Sequence, residues 1–114
     1  MKNLVKSSTD QVLVVLNVSP ALEDAVTDWL LLQEGGGGFT SLSTAGHSSV
    51  HHGFSPGELV RGSKRQVQFQ VQLPAANLDA FLLQAHENFK NSDVFFWVVP
   101  VIVSGQLRDL LNLR

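Results

Sequence analysis

Apolar and polar residues recur along this chain with two different periods, and each change of period marks an element. From Gln11 to Val18 the residues Val12, Leu13, Val14, Val15 and Leu16 follow one another unbroken, closed by Ser19-Pro20. A short, β-branched run of this kind predicts a strand covered on both faces. Ser19 stands where a helix N-cap belongs, and Pro20 where the first turn tolerates a missing N–H. Leu22, Ala25, Val26, Trp29 and Leu30 then return at helical spacing and form one apolar stripe. Glu23 and Asp24 fall near the start of that helix, where its dipole favours negative charge. Gly35 to Gly38 supply the stop, because glycine readily takes the left-handed conformation that closes a helix.

Phe39 to Ala45 is Thr- and Ser-rich with moderate alternation, and is expected to be a strand. Residues 46–62, GHSSVHHGFSPGELVRG, keep no period and form a long loop. Compact domains rarely retain loops beyond about 12–15 residues unless the loop has a task. The clearest strand follows, with Val67, Phe69, Val71 and Leu73 alternating against Gln66, Gln68, Gln70 and Gln72. Pro74 breaks it. Leu78, Phe81, Leu82, Ala85 and Phe89 mark a second amphipathic helix, Asn91-Ser92-Asp93 a turn, and Val94 to Val99 a second strand buried on both faces. Both tryptophans, Trp29 and Trp97, fall on core periodicities and read as packing residues. The tail from Gln106 to Arg114 has enough leucine for a short helix or an edge strand.

The order strand, helix, strand, loop, strand, helix, strand predicts an α+β, ferredoxin-like βαββαβ sandwich. Its four-stranded, mostly antiparallel sheet carries two helices on one face, with the first and third strands central. Residues 1–10 read as a flexible arm, and 11–114 as a single domain. Helices cover only one face of such a sheet, yet the first and last strands are apolar on both. A lone subunit would expose a large apolar patch, so an oligomer packed sheet against sheet is expected.

Composition narrows the function. Only 16% of the 114 residues are charged, against about 25% in an ordinary domain. A net charge of −2 argues against nucleic acid as a partner, since phosphate binding needs a concentrated basic surface. With no Cys, disulfides, thiolate metal sites and cysteine nucleophiles are excluded. The start has no apolar stretch suited to a signal peptide, and the apolar run from Val94 to Val103 is interrupted by Pro100. Spanning a bilayer takes roughly 20 apolar residues, so no membrane insertion and a cytoplasmic location are expected.

The candidate chemistry is concentrated in and around the loop. His47, His51 and His52 offer imidazole ligands for zinc, copper or nickel, and Glu58 an oxygen ligand. Their spacing matches no recognised motif, so a hydrophilic loop rich in histidine is the competing reading. Arg61, Lys64 and Arg65 at the loop's return can hold an anion, or simply be solvated. His86 lies beside the apolar stripe of the second helix and reads as a boundary residue. The Gly35–Gly38 run has neither the dinucleotide nor the P-loop pattern. No nucleophile elbow or catalytic triad is present, and the glycine-rich phosphate loop of the small acylphosphatases is missing after the first strand. No enzymatic activity is expected.

Gly46-His47 at the loop's start and Leu59-Val60-Arg61-Gly62 at its end, followed by Val67-Gln68-Phe69, resemble the PII-like signalling superfamily. In nitrogen-regulatory PII proteins the corresponding loop, the T-loop, ends in Leu-Tyr-Arg-Gly. The resemblance spans the element order over residues 11–105. It extends to small PII-like proteins encoded beside heavy-metal efflux pumps, and to the divalent-ion-tolerance CutA family. It implies a homotrimeric, non-enzymatic regulator whose loop senses a small ligand or divalent metal and docks on a partner such as a metal-efflux transporter. Gly46, Arg61, Gly62, Lys64 and Arg65 would bind the ligand or anchor the loop, and Phe54, Ser55 and Leu59 would meet the partner. A metal-tolerance protein using the loop histidines is the alternative, and a small hydrolase on the same fold a third.

Two departures from PII are specific. PII proteins hold nucleotide phosphates with a Gly-rich, lysine-bearing segment before the last strand. Here that place reads Lys90-Asn91-Ser92-Asp93, which argues against PII-type ATP or ADP binding. A chain without Tyr also cannot be uridylylated on tyrosine.

Overall fold

The computed structural model describes residues 10–33, 38–47 and 64–110. Strand β1 spans Gln11–Val18 and helix α1 Glu23–Leu31, followed by β2 at Phe39–Gly46 and β3 at Lys64–Pro74. Helix α2 spans Leu78–Phe89, and β4 runs Phe95–Val101. The sheet order is β2-β3-β1-β4, with every neighbouring pair antiparallel. The expected ferredoxin-like architecture is therefore present, with β1 and β3 in the centre.

The register explains why the sheet has two unlike faces. Val14 pairs with Val71 and Val98, and Leu16 with Phe69 and Phe96, so these residues share the face beneath the helices. There Val14, Leu16, Val18, Val67, Phe69, Val71 and Leu73 form the core with Val26 and Leu30 of α1 and Phe81 of α2. Trp29 joins the helices, its ring 5.2 Å from Phe81 and 5.5 Å edge-on to Phe89. Offset and edge-on aromatic pairs of this kind add roughly 0.5–1.5 kcal/mol beyond area burial.

The open face carries the other parity. Val15 pairs with Gln70 and Trp97, Leu13 with Gln72 and Val99, and Asn17 with Gln68 and Phe95. The expected polar row of β3 stands here as a linked series. Gln70 Nε2 donates to Gln68 Oε1 at 2.9 Å, and Gln68 Nε2 to Asn17 Oδ1 at 3.2 Å. Gln72 Nε2 donates to Ser104 Oγ at 2.7 Å.

Three local expectations are corrected. The last strand is not buried on both faces: Phe95 is 67% exposed and Trp97 43%, because β4 is an edge strand and this parity faces away from the helices. Trp97 is thus an open-face residue, 6.1 Å from Phe95 ring to ring, and takes no part in the core. Ser19 does not cap with its side chain, because the chain enters α1 through a 3-10 turn at Pro20–Leu22. The Ser19 carbonyl instead accepts the Leu22 N–H at 3.0 Å. Finally, α1 ends at Leu31, ahead of the glycines, where Gln33 Nε2 donates to the Trp29 carbonyl at 3.0 Å. Among the described residues of the tail, which end at Leu110, the chain forms an exposed 3-10 turn at Leu107–Asp109.

Candidate functional site

The segment between β2 and β3 leaves the sheet at Gly46 and returns at Lys64, and these two residues are register partners. A cleft of about 590 Å³ opens at this end of the sheet. Asn17 and Val18 at the end of β1, Ser19 and Leu22 beyond it, Lys64 and Gln66 at the start of β3, and Ser92, Asp93 and Phe95 before and in β4 line it. Three chain segments distant in sequence meet there because β1 ends, and β3 and β4 begin, at the same edge.

Asn17 is the unusual member. It is 7% exposed, and while its Oδ1 is engaged by Gln68, its Nδ2 has no partner among the described residues. Leaving a buried donor unpaired costs about 1–3 kcal/mol, so such a group is suited to an acceptor brought in from outside. With the Lys64 ammonium and the Ser92 hydroxyl on the same cleft, the donors suit an anionic or carbonyl-bearing ligand. Asp93, on the same wall, adds an acceptor.

Lys64 and Arg65 do not act together. Both belong to β3, not to the loop, and successive side chains of a strand point to opposite faces. Arg65 lines a separate opening of about 270 Å³, with Glu23, Ser43, Thr44 and Gln66. The joint anion site read from Arg61, Lys64 and Arg65 is thus divided by strand geometry. Gly46 closes β2, where a Cβ would come within 2.8 Å of Gln66 Oε1, so glycine here admits the Gln66 amide. His47 follows it, exposed at the strand's end. His86 is exposed on α2, as a boundary residue should be. His51, His52, Phe54, Ser55, Glu58, Leu59, Arg61 and Gly62 lie outside the described residues. Among the described residues no three His, Asp or Glu side chains gather as a metal site, and no helix is long and apolar enough to cross a membrane.

Sequence reading missed Asn17 and gave the turn 91–93 only a negative role. A signal for the first was present: Asn17 is the one polar residue within Val12–Val18.

The antiparallel β2-β3-β1-β4 sheet, two helices on one face and a long excursion between β2 and β3 define a ferredoxin-like fold of the kind PII proteins have. The chain belongs to the family described as "Protein of unknown function (DUF3240)", whose model matches residues 8–108. A DUF3240 family protein from Shewanella baltica is similar in structure, with a TM-score of 0.72 at 23% identity over 88% of this chain and 99% of that one. PII of Arabidopsis thaliana, solved bound to citrate, has a TM-score of 0.64 at 16% identity, covering 90% of this chain and 87% of that one. A Bacillus cereus protein related to NIF3 has a TM-score of 0.58 at 17% identity, over 91% of this chain but 28% of that longer one. Comparison with curated proteins gives no match.

Proposed function

We propose that this protein is a non-enzymatic PII-like regulator, a cytoplasmic homotrimer built on the single domain of residues 11–114. A small ligand or divalent metal is sensed at the loop 46–62 and the cleft at its base. The observation that supports this best is the pairing of Gly46 with Lys64 beside a cleft that holds the orphaned Asn17 amide. A ligand that engages Lys64 and Asn17 acts directly on the stem of the loop, so its binding energy favours one loop arrangement over others.

In this reading His47, His51, His52 and Glu58 supply the metal ligands, zinc, copper or nickel being suited to imidazole. Arg61 and Gly62 anchor the loop's return, and Phe54, Ser55 and Leu59 meet the partner. A metal-efflux transporter is a partner consistent with the resemblance alone. The trimer hides the open face of β1 and β4, whose Trp97, Phe95 and Val99 are exposed in one chain.

Calorimetry with zinc, copper and nickel, then with ATP, ADP and cyclic nucleotides, tests the reading. Metal uptake should disappear when His47, His51 and His52 are all changed to Ala. Uptake that survives this triple change removes the metal site from the loop. Turnover of acyl or phosphate esters at an enzyme-like rate overturns the non-enzymatic reading.

A further inference from the structure

The C-terminal half of α2 does not close fully onto the sheet. Between it, α1 and the approach to β4 lies a second cleft of about 240 Å³, on the helix-covered side. Its floor includes Leu16 and Val26, which are 3% and 0% exposed and belong to the core. Leu82, Phe89 and Phe96 form its walls. Interiors are normally packed to a density of about 0.74–0.76. Leu16 and Val26 are themselves covered, so the accessible apolar surface is that of Leu82, Phe89 and Phe96, and an apolar surface of this kind holds water poorly.

The rim is polar and of one sign. His86 on α2 and Lys90 at its C-cap stand one helical turn apart, with the Ser92 hydroxyl beyond them, and among the described residues no carboxylate lines the cleft. Glu87 meets Lys90 at 3.6 Å, but both side chains are about half exposed, so this ion pair exchanges at little cost. An apolar interior with a few convergent polar groups at one end is the usual make-up of a small-molecule site.

We propose that this cleft binds a small amphipathic carboxylate, a medium-chain aliphatic or monocyclic aromatic acid. Its apolar part lies between Leu82, Phe89 and Phe96, and its carboxylate meets Lys90 and His86. A neutral hydrocarbon makes no use of the basic rim, and a bare phosphate makes none of the apolar floor. The site stands independently of the proposed loop function. It adjoins the loop-base cleft, because Ser92 and Val94 line both.

Octanoate and benzoate are titrated into the full chain by calorimetry, with octanol as the neutral control. Saturable octanoate binding, at least about fivefold tighter than octanol, is expected; fivefold corresponds to roughly 1 kcal/mol. Lys90→Gln, at an exposed position, should remove that preference while leaving octanol unchanged. Ala85→Trp, which fills the cleft, should abolish binding of both, with circular dichroism checking that the fold persists. No saturable uptake of either acid at millimolar concentration overturns the proposal. So does octanol binding as tightly as octanoate, or octanoate binding unchanged in Lys90→Gln. Metal or nucleotide binding plays no part in these readouts, so their failure leaves the loop function untouched.

Discussion

Lys64 and Arg65 are consecutive residues that serve opposite sides of the same sheet, one lining the cleft at the loop's base and the other the opening beside Glu23. Their charges are therefore separable by experiment. With pyrophosphate as a probe anion, Lys64→Gln should weaken binding about fivefold to tenfold, the worth of one charge-assisted contact. Arg65→Gln should leave it within about twofold, a level below that of a direct charged contact. Equal losses in titration calorimetry would show that the two residues share a site after all.

Asn17 offers a second test. Its amide is buried with one donor unpaired, so Asn17→Leu removes an unfavourable group along with a single hydrogen bond to Gln68. Stability in urea should change by less than about 1 kcal/mol, since loss of the unpaired Asn17 donor offsets the acceptor taken from Gln68 Nε2, a part-buried group that can turn to water. Ligand uptake at the cleft should nonetheless fall. A large loss of stability with unchanged uptake would make Asn17 a purely structural residue.

The open face predicts association. Trp97→Glu places a carboxylate among Phe95, Val15 and Val99, where a neighbouring copy must dehydrate it. Light scattering at micromolar concentration should give a trimer for the wild type and a monomer for the variant. A monomeric wild type would refute sheet-to-sheet assembly.

Core and surface apolar residues should respond differently. Phe69 is 0% exposed and packs 6.1 Å from Phe39 ring to ring. Phe69→Ala should cost about 3–5 kcal/mol in urea unfolding. Leu83, 63% exposed on α2, should lose no more than about 0.5 kcal/mol when changed to Ala.

These contrasts show which parts of the molecule can be read without coordinates. The Val67–Leu73 alternation and the two helical stripes carry their own geometry, so the element order, and with it the central place of the first and third strands, is legible in the sequence. Trp97 and Phe95 were misassigned because an aromatic strand has the same pattern whether its cover comes from its own subunit or from elsewhere. Lys64 and Arg65 looked like loop residues because charge at a strand's end hides its register, and only pairing with Gly46 and Ala45 reveals it. Ser19 had the right chemistry for a cap, but the 3-10 entry to α1 satisfies the backbone by another route. The cleft beside Lys64 arises where β1 ends and β3 and β4 begin, a meeting that no local spacing encodes.

The central place of β1 also bears on how the chain matures. Among the described strands β1 is made first, yet both of its neighbours, β3 and β4, follow the long excursion after β2. At ribosomal rates of about 5–20 residues per second, Val12–Leu16 waits on the order of ten seconds before both edges can be paired. During that interval it is an unpaired, strongly apolar β-segment, the kind most prone to wrong association. The arrangement that gives the finished subunit its most protected strand thus makes the nascent chain most vulnerable at the same residues.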